Sequence, residues 1–272
     1  MALCYPDMWS RMVSDWNSPS PDDRAWLMYA ANYLFRTAGI RWALDPLTLK
    51  QRLPEAPEVN IVHDLEGLSF ILLTHCHADH LDLELVRALS TQPILWVIPE
   101  PLLVAVAETG LSEAKIIVPK PMEQFELEGI KITPFDSLHW EADPTYPDGR
   151  RGVPATGYLV EFSGKRWLFP GDTRTYDASQ LPSFGSVDGL FAHLWLGRGC
   201  ALNETPPLLE AFCSFCLDLQ PRRIIVTHLE EFGRASNEYW EDAHFQPVKW
   251  RIMECAPDIV VESAVFGECI RL

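Results

Sequence analysis

Short apolar runs alternate with turn-forming residues along the first half of the chain. The run 70–73 leads directly into a polar stretch, which predicts a buried strand that delivers a loop to a site. A turn at Ala38–Gly39 is expected to join two earlier strands, and Asp82 to cap a helix. The full set of expected elements here is strands at 26–37, 40–45, 70–74, 94–98 and 116–118, and helices at 8–16, 83–89 and 102–108. This alternation favours a sheet covered by helices.

The second half of the chain favours hairpins, followed by a strand, a helix and a strand. One hairpin is predicted to turn at Glu128–Gly129 and another across Ser163–Gly164, with a strand at 190–195, a helix at 206–219 and a strand at 224–228. The polar segment 141–154 has no periodicity and is predicted to be a loop. No long linker or low-complexity stretch interrupts the chain, so residues 1–272 are expected to form one domain, with 1–24 as a peripheral segment.

Four ligand-type side chains follow the strand at 70–73 within six residues: His75, His77, Asp79 and His80. A solvated polar turn is the simpler alternative, but H-x-H-x-D-H arises by chance in a chain of this composition in about one case in a few thousand. Two imidazoles at a strand end can reach one cation, while the aspartate and third histidine turn toward a second. Imidazole and carboxylate are the ligands that borderline divalent metals prefer, so we interpret this motif as a metal site.

Further ligand-type residues occur downstream in a fixed order: His139, then Gly171–Asp172, then His228. Together with the first motif, this set resembles the metallo-β-lactamase superfamily. The resemblance implies an α/β fold, a four-layer αββα sandwich of two mixed sheets flanked by helices. It also implies two metal ions, one held by His75, His77 and His139, the other by Asp79, His80 and His228, with Asp172 bridging them.

Each of these positions also has a chemical reason. Asp172 can bridge because a carboxylate has two oxygens. We expect glycine at 171 because a Cβ there would crowd the metals. Two neighbouring dications would lower the pKa of a bridging water toward neutrality and so generate a hydroxide nucleophile, which Asp79 could orient as a catalytic residue. The ligands suit zinc first, with manganese or iron as alternatives.

Composition limits the partners. The formal net charge is −16 over 272 residues, and the longest basic runs are the pairs Arg150–Arg151 and Arg222–Arg223, so neither nucleic acid nor an anionic membrane surface is expected to bind. No apolar segment is long enough to span a membrane, and no secretory signal is visible. Seven scattered cysteines predict reduced thiols and a cytoplasmic location. The pair Cys213 and Cys216 is expected to pack in a helix core rather than to act in redox chemistry.

The sequence Leu138–His139–Trp140 around the third histidine motif resembles that of the superfamily branch that contains ascorbate-6-phosphate lactonase and related zinc-dependent hydrolases. This resemblance implies hydrolysis of a small anionic ester or lactone, with a sugar phosphate among the candidates. The candidate substrate-binding residues are Arg150, Arg151, Arg198 and His193. Each arginine could instead be a solvated surface charge, and His193 could instead be a core histidine. His63 is expected at the surface, and His244 has no assigned role.

Three other functions stay open from the sequence. A phosphodiesterase or nuclease could use the same metal ligands, although the acidic charge disfavours RNA. A non-catalytic metal-binding or scaffold protein could have the same fold. A di-iron redox role is disfavoured because the related proteins usually carry glutamate in the first motif, where this chain has Asp79. A homo-oligomer is compatible with the sequence.

Overall fold

The computed structural model describes residues 5–48, 59–231 and 233–272. The connection predicted around Pro54 and Pro57 lies outside these ranges. The chain divides into two compact units. Unit 1 comprises Met1–Pro119, Glu126–Ile130 and Val265–Leu272, and unit 2 comprises Lys120–Phe125 and Lys131–Ala264.

Six α-helices and sixteen strands are assigned within the described residues. The helices are α1 Tyr5–Asn17, α2 Ile61–Asp64, α3 Leu83–Leu89, α4 Leu103–Val106, α5 Leu209–Asp218 and α6 Asp242–Cys255. The strands are β1 Arg24–Leu27, β2 Tyr33–Thr37, β3 Ile40–Leu44, β4 Phe70–Leu72, β5 Leu95–Val97, β6 Ile116–Ile117, β7 Phe125–Leu127, β8 Ile130–Asp136, β9 Trp140–Ala142, β10 Arg150–Gly152, β11 Thr156–Phe162, β12 Lys165–Phe169, β13 Gly189–His193, β14 Arg223–Thr227, β15 Val260–Ser263 and β16 Cys269–Arg271.

The first sheet has seven strands in the order β16-β1-β2-β3-β4-β5-β6. Its pairs from β16 to β3 are antiparallel, and those from β3 to β6 are parallel. Ala38 and Gly39 join β2 to β3 as predicted, with φ of +51° and +80°, which suits a two-residue hairpin turn. The single strand predicted at 26–37 was wrong: Met28–Asn32 leaves the ladder, and the Met28 amide donates to the Asn32 carbonyl at 2.7 Å.

The second sheet also has seven strands, in the order β15-β14-β13-β12-β11-β8-β7. The pairs β8–β11 and β11–β12 are antiparallel, whereas β12, β13, β14 and β15 run parallel. The loop predicted at 141–154 was wrong in part, because β9 and β10 form a separate two-stranded hairpin there. The Asp143 amide donates to the Gly149 carbonyl at 2.9 Å across its turn, so the backbone pairs although the side chains show no alternation.

Each unit contains its own apolar core. In unit 1, α1 supplies four buried side chains, Trp9, Met12, Val13 and Trp16, so the segment predicted as peripheral contributes to this core. In unit 2, Cys213 and Cys216 of α5 are buried in the core, as predicted. The six described cysteines are free thiols. Two mixed sheets with flanking helices confirm the predicted α/β class.

None of the helices in the described ranges combines the length and apolar character needed to cross a bilayer.

Candidate metal centre

In unit 1, the ligand-type residues follow the carboxyl ends of parallel strands. Asp45 comes directly after β3, and Thr74 and His75 come shortly after β4. The carboxyl ends of adjacent parallel strands meet at one edge of a sheet, so these residues converge. Asp45 holds the start of the loop, accepting hydrogen bonds from the Thr74 amide at 2.8 Å and from its hydroxyl at 2.5 Å.

The imidazoles of the first motif lie against one another and against Asp45. His75 Nε2 is 3.2 Å from His77 Nδ1, and His80 Nδ1 is 2.7 Å from Asp45 Oδ2. Asp45, His75 and His80 are buried, and each offers a ligand atom within 4.8 Å of the others. His77 is partly buried. Imidazole nitrogens gathered at this density fit a divalent cation, whereas protonated rings would repel one another.

Two polar side chains fix the shape of this loop. The buried Asn32 donates to the carbonyl oxygens of Asp45 at 2.6 Å and Asp79 at 2.7 Å. Asp82 caps α3 as predicted, accepting from the amides of Glu84 at 2.9 Å and Leu85 at 3.0 Å. The backbone of the motif is therefore held at both ends by buried groups that are not themselves candidate ligands.

In unit 2, Asp172 is the centre of a second cluster. Its Oδ1 lies 2.7 Å from His193 Nδ1 and 3.4 Å from His228 Nε2, and its Oδ2 lies 3.6 Å from His139 Nε2. All four residues are buried. His193 ends β13 and His228 directly follows β14, so this cluster also forms where neighbouring parallel strands end. Three imidazoles around one carboxylate are a donor set that zinc, manganese and iron bind.

Backbone conformation contributes to this cluster. Gly171 and His228 have φ of +70° and +67°, in the left-handed region. A Cβ at residue 171 would come no closer than 3.8 Å to the Ser137 hydroxyl, so the protein atoms leave room for it, and crowding of the metals by a Cβ stays a prediction. Glycine is favoured because the left-handed conformation costs other residues about 1–2 kcal/mol.

Glu231 also belongs to this cluster, although no sequence motif predicted it. Glu231 is buried, its Oε2 lies 3.1 Å from His228 Nδ1, and its Oε1 accepts from Arg234 Nε at 2.7 Å. A carboxylate on the second ring nitrogen fixes the orientation of a ligand histidine and makes it more basic. Its position three residues after His228 was the feature of the sequence that could have identified Glu231 as a partner of that histidine.

The three arginines predicted to bind substrate interact with other side chains of unit 2. Arg150 stacks on Trp140, with 4.1 Å between its guanidinium carbon and the ring centroid. Arg151 lies 3.9 Å from Glu141, and Arg198 Nε donates to Glu141 at 3.0 Å. Their role in substrate binding stays a prediction. His193, predicted for the same role, contacts Asp172.

A narrow cavity in unit 2 lies beside Asp172 and His228. Arg174, Trp195, Glu231, Arg234 and Trp240 are among the residues that line it. Arg174 lies over the Trp195 ring, 4.6 Å from its centroid. Burial lowers the pKa of the Arg174 guanidinium below its usual value, and the nearby Asp172 carboxylate partly offsets this effect.

The remaining histidines have structural or surface positions. His63 is exposed, as predicted. His244 caps the start of α6, where it accepts from the Glu241 amide at 3.0 Å. Its Nε2 lies 2.6 Å from the Ala201 carbonyl oxygen, which gives His244 a role in holding the fold of unit 2.

The two sheets and the buried histidine–aspartate clusters at their strand ends define a metal-binding protein of the metallo-β-lactamase fold. The profile of the family described as "Beta-lactamase superfamily domain" matches residues 41–229. The chain belongs to this family, and is thus a member of a superfamily of metal-dependent hydrolases.

Similar proteins agree with this assignment. A UPF0173 metal-dependent hydrolase of Flavobacterium johnsoniae is 24% identical over 248 residues, covering 89% of this chain and 96% of the relative. Among solved structures, the metallo hydrolase Igni18 from Ignicoccus hospitalis has a TM-score of 0.65 at 16% identity, covering 92% of this chain and 98% of its own. The diiron β-hydroxylase CmlA from Streptomyces venezuelae has a TM-score of 0.63 at 17% identity. The match covers 94% of this chain and 55% of the CmlA chain. Likeness at this level of identity shows the fold alone.

Proposed function

We propose that this protein is a hydrolase that uses two divalent cations to cleave a small anionic ester or lactone. The proposed ligands are His75, His77 and His139 for one cation, Asp79, His80 and His228 for the other, and Asp172 for both. Zinc is the proposed metal, with manganese and iron as alternatives that suit the same ligands. A sugar phosphate is one candidate substrate, and the ascorbate-6-phosphate lactonase branch is the proposed subfamily.

The arrangement around Asp172 carries this proposal. One of its oxygens faces His193 and His228, and the other faces His139. A carboxylate that presents different oxygens to different imidazoles is suited to bridging two cations. The clusters of units 1 and 2 each supply buried donors, and the family match at 41–229 includes both clusters.

The residues of the chain then have distinct tasks. When bound, the cations would supply ionised water at neutral pH and polarise the oxygen of the scissile group. Asp79 would accept a hydrogen bond from the attacking water and orient it. Asp45 and Glu231 hold His80 and His228 by their second ring nitrogens, which keeps the other nitrogen of each ring available for a ligand bond. His193 holds Asp172 at Oδ1.

The first experiment is a panel of esters, lactones and phosphodiesters, assayed after zinc or manganese is added to the purified protein. We expect turnover of at least one ester or lactone, and a loss of about 100-fold or more in His77→Ala and Asp172→Asn because each removes a metal ligand. EDTA should abolish turnover, and added metal should restore it.

An exposed-site variant, Arg222→Gln, is the matched control and should keep wild-type turnover. Turnover that survives both His77→Ala and EDTA would contradict the metal-dependent mechanism. Cleavage of phosphodiesters alone would contradict the ester assignment and favour the phosphodiesterase alternative.

A further inference from the structure

Asn32 lies between β1 and β2 and is fully buried, yet it is not one of the proposed metal ligands. Its backbone is held in place by its own segment. The Met28 amide donates to the Asn32 carbonyl oxygen at 2.7 Å and so closes the segment 28–32. Apolar residues of this segment pack against Leu47 in a small buried cluster. The Asn32 side chain is therefore a fixed point from which neighbouring groups can be positioned.

One hydrogen bond from Asn32 holds the peptide group between two proposed ligands of the same cation. The Asn32 side-chain amide donates to the Asp79 carbonyl oxygen at 2.7 Å. This carbonyl belongs to the planar peptide group that joins Asp79 to His80, so a bond to its oxygen restricts the backbone of both residues. Both residues are buried, and both are assigned to the cation that His228 would also bind, which we call the second cation.

The other hydrogen bond from Asn32 reaches the ring of His80 through Asp45. The Asn32 amide donates to the Asp45 carbonyl oxygen at 2.6 Å, and Asp45 Oδ2 lies 2.7 Å from His80 Nδ1. Asp45 has a φ of +44°, in the left-handed region that residues other than glycine adopt at a cost, so the bond to its carbonyl helps to keep this conformation. His80 is thus held at its backbone and at its ring.

The proposed ligands of the other cation are linked to Asn32 less directly. A side-chain amide has two N–H groups, and the carbonyls of Asp45 and Asp79 accept from both, so Asn32 has no donor left for His75 or His77. His75 Nδ1 lies 2.9 Å from the Thr74 hydroxyl, which itself donates to Asp45, so Asp45 and Thr74 both intervene between Asn32 and His75. The hydrogen bonds of Asn32 therefore favour the second cation.

We propose that Asn32 is a positioning residue for the second cation, because it holds the peptide group between Asp79 and His80 and, through Asp45, the His80 ring. Loss of its amide would leave two buried carbonyl oxygens without this donor and let both ligands move. The inference rests on the proposed function for the assignment of ligands to the two cations. The position of the His80 ring, however, can be followed without metal and without turnover.

The first test measures zinc binding to the metal-free protein by competition with chromophoric chelators. We expect the wild type to bind two zinc ions. In Asn32→Ala the affinity for one ion should fall about 10- to 100-fold, and that for the other by less than about threefold, because a group that orients metal ligands is lost at one site. The weakened ion should be the one that Asp79→Asn also weakens, and the two substitutions together should be less than additive.

Thr37→Val is the matched control for this experiment. Thr37 lies at the far end of β2, is also fully buried, and accepts a hydrogen bond from Trp42 Nε1 at 2.8 Å. This variant removes a buried hydrogen bond from the same strand and should lower the stability of the metal-free fold, yet leave both zinc affinities unchanged. Thermal unfolding followed by circular dichroism checks that each variant is folded.

A measurement on the metal-free protein separates this inference from the proposed function. Long-range ¹H–¹⁵N spectra report the ring nitrogens of histidine, and His80→Gln assigns the His80 signal among the eight histidines. Asn32→Ala should shift or broaden this signal, whereas Thr37→Val should leave it unchanged. If the wild type binds one zinc ion only, the two-cation proposal fails, and the His80 signal still decides whether Asn32 positions this ring.

The positioning role would be overturned by unchanged zinc affinities in Asn32→Ala, by equal weakening of both ions, or by an equal loss in Thr37→Val. An unchanged His80 signal in folded Asn32→Ala would overturn it independently of metal. Asn32→Ser, which keeps one donor, should show a smaller loss than Asn32→Ala, and it decides by the same criteria if the alanine variant does not fold.

Discussion

At the scale of single residues, the types of donor were predictable and their supporting partners were not. The sequence spacing identified His75, His77 and His80 as candidate ligands because imidazoles rarely occur at this density. Glu231 and His193 were not assigned to the metal centre, because a glutamate beside another glutamate and a histidine on an apolar strand each have many other uses. Only the distances to His228 and Asp172 give these two residues a role.

The contact between Glu231 and His228 leads to a prediction about metal affinity. Glu231→Gln removes the negative charge that orients and polarises the His228 ring, so we expect the affinity for zinc to fall about 10- to 100-fold. Competition with a chromophoric chelator measures this change. Because the side chains are nearly the same size, the fold should be retained.

The neighbouring glutamate provides the control for this experiment. Glu230 is exposed, and Glu230→Gln makes the same chemical change one residue away. Its zinc affinity should match that of the wild type. Equal losses in the two variants would mean that overall charge, rather than the contact with His228, determines the affinity.

At the scale of secondary-structure elements, turns and caps were predicted well, and interruptions inside apolar runs were not. The Ala38–Gly39 turn and the Asp82 cap depend on local chemistry, so the sequence was sufficient. The break between β1 and β2 depends on Asn32, whose side chain bonds to residues distant in the sequence. Met28 to Ala31 are apolar and buried, so Asn32 is the only polar residue in the sequence that marks the break.

Helix α5 gives a prediction about thiol reactivity. Burial raises the pKa of Cys213 to about 12 and raises that of Cys216 well above its usual value. The thiolate is the reactive form, so labelling of both residues by iodoacetamide should stay slow as the pH rises from about 7 to 9. Peptide mass spectrometry at timed intervals measures the rate at each cysteine.

The exposed Cys255 is the internal control for this labelling and should react much faster in the folded protein. Denaturation should bring all three residues to similar rates. Fast labelling of Cys213 in the native protein would contradict the packed position of this pair and favour the redox alternative.

At the scale of the whole molecule, the fold class and the family were predictable, because the ordered ligand motifs are specific to them. The family match at 41–229 includes both ligand clusters, whereas the chain divides into two compact units, so a single domain over 1–272 stays a prediction. The substrate was not predictable from the motifs. The candidate arginines were selected by their position in the sequence, and the structure shows that Arg151 and Arg198 lie against Glu141.

Net charge gives a prediction about nucleic acids. With a formal net charge of −16, the protein repels phosphate backbones. We therefore expect that it neither retards a transfer-RNA transcript in a native gel nor cleaves it. The test uses a salt concentration of about 0.15 M with zinc or manganese present. Polylysine serves as the positive control for retardation. Cleavage that depends on Asp172 would instead establish the nuclease alternative.

The two hydrogen bonds of Asn32 have a consequence for protein engineering. One amide group joins the segment before β2 to the backbone of Asp45 and of Asp79, the latter 47 residues further along the chain. The short segment around Asn32 contains no proposed ligand, and it would look like a convenient place for an insertion, a tag or a loop graft. Such a graft would remove the group that joins these two carbonyls, so a designer who wishes to keep the metal chemistry should leave this segment intact.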